Sequence, residues 1–271
     1  MAVRIISAVV GFFILLAFVL IGGLPVEIGA AGLSLIGMYE LYTAVSKKLK
    51  PVHFVGFAAE IYYVFGYHYA GLHSAAINLP VIMAAVMLTL VFLVAMHEST
   101  DINDVSITWF GFLYVGVLMY CLVLLYKVDK ALVWLPLLCA WGSDTFAYFI
   151  GIKFGKHKMA PVLSPKKSVE GAVAGVIGAG VLVAVYCSVF AAMGGNKGIF
   201  VLVPIGMVAA AFSQIGDLAA SAIKRQTGIK DYGNIMPGHG GVLDRFDSVL
   251  FTAPTIYILF AAFARFSGFT L

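Results

Sequence analysis

The residues that could carry out chemistry are concentrated near the C-terminal end of this sequence. The stretch "KRQTGIKDYGNIMPGHGGVLDRFD", residues 224–247, holds seven charged residues and a histidine, although only 11% of the 271 residues are charged. Its acidic residues are Asp231, Asp244 and Asp247. Asp244 and Asp247 are three positions apart, so on a helix their carboxylates face the same way. The stretch therefore offers clustered oxygen ligands beside several cations.

Two further aspartates lie within apolar sequence. They are Asp144, in "LCAWGSDTFAYFIG", and Asp217, in "AAFSQIGDLAASAIKR". An aspartate near the centre of a membrane helix costs about 2.5–3.5 kcal/mol, so such a residue indicates a functional site by default. For Asp144 taken alone, pairing with a neighbouring helix is an open alternative. Helical spacing places Asp217 on one face with Ser213, Gln214, Ser221 and Lys224.

Carboxylates beside a row of cations are typical of a divalent metal that holds a polyphosphate. Mg²⁺ takes oxygen ligands from one or two carboxylates and completes its coordination shell with water and phosphate. The "GHGG" segment, residues 238–241, has a backbone that can turn tightly and approach a phosphate closely. The cations that accompany these carboxylates in the two polar segments are Lys166, Lys167, Lys224, Arg225, Lys230 and Arg245.

The composition requires that these groups be positioned by membrane helices. The chain is 62% hydrophobic with a mean hydropathy of +1.02, which is more apolar surface than a soluble core could bury. The alternating pattern of a membrane barrel is absent. We therefore predict an all-α integral membrane protein, a polytopic bundle of about nine transmembrane helices. The nine apolar stretches are roughly 5–22, 28–45, 53–70, 77–96, 105–126, 131–150, 171–193, 199–223 and 248–266.

The basic residues predict how the chain is oriented. With a cytoplasmic N-terminus, thirteen of the 17 lysines and arginines fall on the cytoplasmic side, and Lys127, Lys130, Lys197 and Arg265 fall on the other. The prediction is a multi-pass protein of the cell (inner, cytoplasmic) membrane whose active site faces the cytoplasm. The net charge of +4 then belongs to one face that attracts anionic lipid, and it is not a nucleic-acid footprint.

The chain divides into two parts of different character. Residues 1–130 are about five hydrophobic spans joined by short loops, and Glu40 and Glu60 within them are interpreted as structural. Residues 131–271 form the predicted catalytic region, with two polar cytoplasmic loops at 151–171 and 224–247.

The segment "SAIKRQTGIKDYGNIMPGHGGVLDRFD", residues 221–247, resembles the signature of the phosphatidate cytidylyltransferases, also called CDP-diacylglycerol synthases. A second segment, "DTFAYFIGIKFGKHKMAPVLSPKKSVEG", residues 144–171, is similar to that family's other polar segment. The first 130 residues share only hydrophobicity and the number of spans. Met236 replaces the Leu, Ile or Phe that is more usual in the family before the proline, and we expect no consequence.

The resemblance implies that CTP and phosphatidic acid are converted to CDP-diacylglycerol and pyrophosphate with Mg²⁺, in contact with membrane lipid and without nucleic acid. A second cation and a homodimer are left open. The resemblance implies metal binding by Asp217 and Asp244. It implies a catalytic or polar-site role for Asp144, Lys167, Ser221, Lys224, Arg225, Lys230, Asp231, His239, Arg245 and Asp247. Substrate binding is expected of Lys166, Lys167, Lys224, Arg225, Gly238, His239, Gly240, Gly241 and Arg245.

Two other functions also fit parts of the pattern. A CTP-dependent lipid kinase, such as a polyprenol or phytol kinase, is similar in architecture but transfers the γ-phosphoryl group. An ion-coupled transporter also places carboxylates within spans, yet it does not require the glycine turn or cations clustered on one side.

Cysteine labelling in oriented membranes tests the predicted orientation. Lys158→Cys and Thr227→Cys should react with an impermeant reagent added on the cytoplasmic side, and Asn196→Cys should react only from the opposite side. The unsubstituted chain is the control, because Cys121, Cys139 and Cys187 all fall within predicted spans. Labelling of positions 158 and 196 from the same side would contradict the nine-span topology.

Overall fold

The computed structural model describes residues 2–66, 75–193, 200–236, 238 and 240–268, and for residues 2–8 and 75–81 it describes the backbone alone. The described chain is almost entirely helical. Its α-helices are α1 Ala2–Ile21, α2 Leu24–Val45, α3 His53–Ile61, α4 Ala75–Ala95, α5 Ile102–Gly111, α6 Leu118–Val128, α7 Leu135–Phe154, α8 Val169–Ala192, α9 Leu202–Thr227, α10 Leu243–Phe246 and α11 Val249–Ser267. Two π-helical turns (Tyr62–Gly66, Phe112–Val117), a 3₁₀ turn (Leu132–Trp134) and strands β1 (Lys158–Ala160) and β2 (Ser164–Ser168) complete it.

Six helical segments of the described chain are long and apolar enough to cross a membrane. They are Leu24–Val45, Ile102–Val128, Leu132–Phe154, Val169–Ala192, Leu202–Thr227 and Val249–Ser267. The remaining three predicted stretches correspond to α1, to α3 with the π turn after it, and to α4; Val9–Ile21 and Ile82–Ala95 are shorter apolar helices. An all-α membrane protein is therefore confirmed, and the count of nine spans stays a prediction.

The chain folds into two compact units that interleave along the sequence. The first comprises residues 1–120 and 229–245, and the second comprises residues 121–228 and 246–271. The first unit thus includes most of the glycine-rich polar stretch at 224–247. We call the part that belongs to this unit, residues 229–245, the signature segment.

Hydrogen bonds between helix ends and side chains fix the first unit. Asp101 caps α5 by accepting from the amide of Asp104 at 2.9 Å, and the Asp104 carboxylate accepts from the Lys50 amide at 2.5 Å. The buried Tyr42 hydroxyl donates to the Thr108 carbonyl at 2.7 Å, which joins α2 to α5. The Asp101 cap supplies an acceptor for an amide in the first turn of α5, and the other two bonds join segments that are distant in the chain.

Small residues allow the helices of the second unit to approach closely. A Cβ on Gly142 would lie 3.1 Å from the Cα of Ala179, and one on Gly175 would lie 2.8 Å from the Ser143 carbonyl oxygen. Gln214, on α9, donates to the Ala172 carbonyl at 2.9 Å and to the Ser143 hydroxyl at 3.2 Å. Close packing and interhelical hydrogen bonds are the main forces that hold membrane helices together.

The short hairpin of β1 and β2 was not predicted from the sequence. Its strands are antiparallel, with Lys158 opposite Ser168 and Ala160 opposite Ser164. The Glu170 carboxylate accepts from the ring of His157 at 2.6 Å and from the Lys156 amide at 3.1 Å. Ser168 then caps α8 by accepting from the Gly171 amide at 3.2 Å. The hairpin is thereby anchored to the first turn of α8.

Gly175→Ala should lower the stability of the protein. The added methyl would meet the Ser143 carbonyl, a backbone atom that cannot move alone, and overpacking of this kind costs about 1–3 kcal/mol. We expect a lower melting temperature in detergent micelles. Gly32→Ala is the matched control, because a Cβ there meets nothing within 4 Å. A Gly175→Ala variant as stable as Gly32→Ala would contradict this packing.

Candidate active site

An ion pair lies at the centre of the polar region of the second unit. Asp217, on α9, pairs through Oδ2 with the ammonium group of Lys167, which is on β2. The two side chains are 29% and 25% exposed, so the pair is partly shielded from water. The Ser221 hydroxyl donates to Asp217 Oδ1 over 3.5 Å, one helical turn further along α9. The ion pair thus joins the polar loop of residues 151–171 to the aspartate within α9.

Asp247 lies close to this pair. A Cβ on Gly216 would lie 2.7 Å from the Asp247 carbonyl oxygen, so the absence of a side chain lets α9 approach the backbone two residues before α11. Asp247 is 9% exposed. Burial, together with the negative charges of Asp217 and Asp144, raises the pKa of Asp247 to about 7, although the Ser248 amide and Lys224 act in the opposite direction.

The second unit therefore collects three carboxylates and two lysines. Asp144 is exposed on α7, close enough to influence the pKa of Asp247. Ser213 and Gln214, which share the predicted polar stripe with Asp217, are buried instead.

In the first unit, Asp244 organises the signature segment. Its Oδ2 atom accepts from the Tyr232 amide at 2.8 Å and from the Gly241 amide at 3.0 Å. Gly240 has φ of +89°, a conformation that favours glycine, and a Cβ there would lie 2.9 Å from the same oxygen. The Met236 amide donates to the Gly240 carbonyl at 3.0 Å, which closes the turn.

Sequence reasoning missed one residue of this unit. Glu40, on α2, is 2% exposed, and its carboxylate accepts from the amides of Val242 and Leu243 at 3.0 and 2.8 Å. The interpretation of Glu40 as structural did not foresee that its partners lie in the signature segment. A carboxylate within an apolar span was the available signal, but its partner cannot be read from the sequence.

The other predicted site residues divide by exposure. Ser221 and Lys224 are half-buried, as is Gly240, and Gly241 is buried. The exposed ones are Lys166, Arg225, Lys230, Asp231, Gly238 and Arg245. His239, and Pro237 beside it, lie outside the described residues. The structure therefore leaves most of the expected cations accessible to a solute.

The described residues contain no group of three or more His, Cys, Asp or Glu side chains arranged to hold a metal ion. A site with fewer than three such ligands is compatible with Mg²⁺, which is commonly bound through one or two carboxylates together with substrate phosphates and water. In the second unit, Asp217 and Asp247 are close carboxylates whose mutual repulsion a divalent cation would offset.

The fold and these polar groups define a class: a multi-pass helical membrane protein whose carboxylates and accessible cations suit an anionic, phosphate-bearing substrate. The chain belongs to the cytidylyltransferase family, which it matches over residues 2–263.

Its relatives are similar along nearly the whole chain. It is 32% identical over 268 residues to the phosphatidate cytidylyltransferase of Bacillus subtilis (strain 168) and 32% identical over 259 residues to that of Staphylococcus haemolyticus (strain JCSC1435). It is 31% identical over 265 residues to that of Staphylococcus aureus (strain COL). Each alignment covers 96% of this chain and 98% of the relative. The similarity therefore includes the N-terminal helices, which sequence inspection had matched only by hydrophobicity.

Proposed function

We propose that this protein transfers the cytidylyl group of CTP to phosphatidic acid, and so forms CDP-diacylglycerol and pyrophosphate for phospholipid synthesis. The observation that carries the proposal is the similarity to phosphatidate cytidylyltransferases over 96% of the chain. The multi-pass helical fold agrees with it, because a lipid substrate has to be reached from within the membrane.

The chemistry requires charge compensation more than a strong base. The second pKa of a phosphomonoester is about 6, so phosphatidate is largely a dianion near neutral pH and can attack the α-phosphorus of CTP directly. The bond between the α- and β-phosphates breaks, and pyrophosphate leaves with its negative charge. Two anions must approach each other, and positioning with electrostatic stabilisation is the main contribution that a protein can make.

The polar residues are suited to these tasks. We propose that Asp217 and Asp244 are ligands of Mg²⁺, and that Asp144, Asp231 and Asp247 are polar-site residues around the substrates. A bound Mg²⁺ would supply charge neutralisation on the phosphate oxygens. The cations Lys166 and Arg225 of the second unit, and Lys230 and Arg245 of the first unit, are exposed, so each is accessible to a phosphate group of a substrate. Lys167, paired with Asp217, keeps that carboxylate oriented.

The location of the reaction follows from the distribution of charge. Thirteen of the 17 basic residues fall on the cytoplasmic side of the proposed nine-span topology. CTP is a water-soluble nucleotide, so we propose that the active site faces the cytoplasm in the cell membrane. In the second unit α8 and α9 are consecutive candidate spans. Two successive crossings would place Val169, at the start of α8, on the same side of the membrane as Thr227, at the end of α9.

Replacement of either proposed metal ligand should abolish turnover. Asp217→Asn and Asp244→Asn keep the volume of the side chain but remove its charge, and we expect kcat to fall by about 100-fold or more. The measurement is the formation of CDP-diacylglycerol from CTP and phosphatidate in detergent over a range of Mg²⁺ concentrations.

The control for these substitutions is Asp129→Asn, because Asp129 accepts from the Ala131 amide at 2.7 Å and lies in the loop between α6 and α7. It should retain wild-type turnover. All three variants should elute as folded protein on size exclusion. Wild-type rates in Asp217→Asn or Asp244→Asn at saturating Mg²⁺ would remove that residue from the site.

The fate of labelled phosphate separates cytidylyl transfer from kinase chemistry. With CTP labelled at the α-phosphate, label should enter the lipid fraction, and with CTP labelled at the γ-phosphate it should appear in pyrophosphate. The physical reason is that phosphatidate arrives already ionised, whereas a kinase must deprotonate an alcohol. Lipid that carries γ label without cytidine would show that the proposed reaction is wrong.

A further inference from the structure

We propose that Glu40 is a positioning residue for the signature segment, and that it acts through the backbone amides of Val242 and Leu243 to hold Asp244 in place. The inference rests on the proposed function, in which Asp244 is a metal ligand. It gives the N-terminal helices a role in the reaction, because Glu40 belongs to α2.

The contact joins residues that are distant in the chain. Glu40 Oε1 accepts from the Val242 amide at 3.0 Å, and Oε2 accepts from the Leu243 amide at 2.8 Å. Each carboxylate oxygen thus holds one of two successive amides. Such paired, charge-assisted hydrogen bonds fix orientation as well as distance. Because Leu243 directly precedes Asp244, the Glu40 carboxylate fixes the Val242–Leu243 peptide plane, one residue before the proposed ligand.

Two glycines of the signature segment make room for this carboxylate. A Cβ on Gly241 would lie 2.5 Å from both Glu40 oxygens, and a Cβ on Gly233 would lie 2.5 Å from Oε1. Any larger residue at either position would displace Glu40 from the amides. The glycine content of the segment is therefore explained in part by the approach of a carboxylate from α2.

Asp244 completes the arrangement from the other side. Its Oδ2 atom accepts from the amides of Tyr232 and Gly241. The backbone from Gly241 to Leu243 is consequently held by two acids, Asp244 through the first amide and Glu40 through the next two. Without Glu40, the buried amides of Val242 and Leu243 would lose their acceptors, which favours a local shift of the segment.

Glu27 offers a matched comparison on the same helix. It is 3% exposed, compared with 2% for Glu40, and it lies near the start of α2, several turns away from Glu40. A general effect of removing a buried acid from α2 should appear in Glu27→Gln as well as in Glu40→Gln. An effect that operates through the signature segment should appear in Glu40→Gln alone.

The decisive experiment measures hydrogen exchange and kinetics on the same purified protein. In Glu40→Gln, one of the two carboxylate oxygens that accept from backbone amides is replaced by an NH₂ group, which faces a backbone N–H. We therefore expect hydrogen exchange in peptides from residues 229–245 to accelerate at least tenfold. We expect kcat to fall by about 10- to 100-fold, as when a group that orients a metal ligand is removed. Glu40→Asp, which keeps two acceptor oxygens, should recover part of both. Glu27→Gln should match the wild type within about twofold.

The exchange measurement also decides the matter without any variant or substrate. In the unsubstituted protein the Val242 and Leu243 amides should exchange slowly, and rapid exchange of both would overturn the proposal even if Glu40→Gln fails to fold. The proposal would also be overturned if hydrogen exchange were unchanged in Glu40→Gln, or if kcat were normal in that variant despite faster exchange. Equal effects in Glu27→Gln would overturn it as well. Absence of CDP-diacylglycerol formation by the wild type would refute the proposed function, while the exchange data would still test the contact.

Discussion

The ion pair between Lys167 and Asp217 constrains where the hairpin lies in the second unit. A carboxylate within an apolar helix is costly unless an opposite charge or hydrogen-bond donors compensate it. The cation comes from β2, which directly precedes α8, and the carboxylate is on α9. The hairpin has to lie against α9 for this contact to form. Its bonds to Glu170 and the Ser168 cap transmit that constraint to the first turn of α8.

The first unit compensates its buried acids differently. Glu40 and Asp244 each accept two backbone amides in the described contacts. Backbone amides stabilise an anion by donating hydrogen bonds to it. These bonds explain how a loop with little regular structure can be held firmly.

Glycine has two separate uses in the protein. Along α8, glycines such as Gly175 let helices pack at distances that a side chain would prevent. In the signature segment, Gly233 and Gly241 leave space for the Glu40 carboxylate, and Gly240 adopts a positive φ beside Asp244. The expectation that the turn glycines bring backbone amides close to phosphate stays a prediction. The Gly241 amide itself donates to Asp244.

The sequence alone determined the membrane class, the apolar segments and the polar stretches, because hydrophobicity and charge are properties of each residue and need no partner. Asp217 could be identified from the cost of an acid in an apolar span. The pairing of Asp217 with Lys167, the hairpin that carries Lys167 and the bonds of Glu40 to Val242 and Leu243 were decided only by tertiary structure. Each depends on a contact between segments far apart in the chain. Hydropathy shows that a buried acid needs a partner, but only the fold decides which backbone or side chain supplies it.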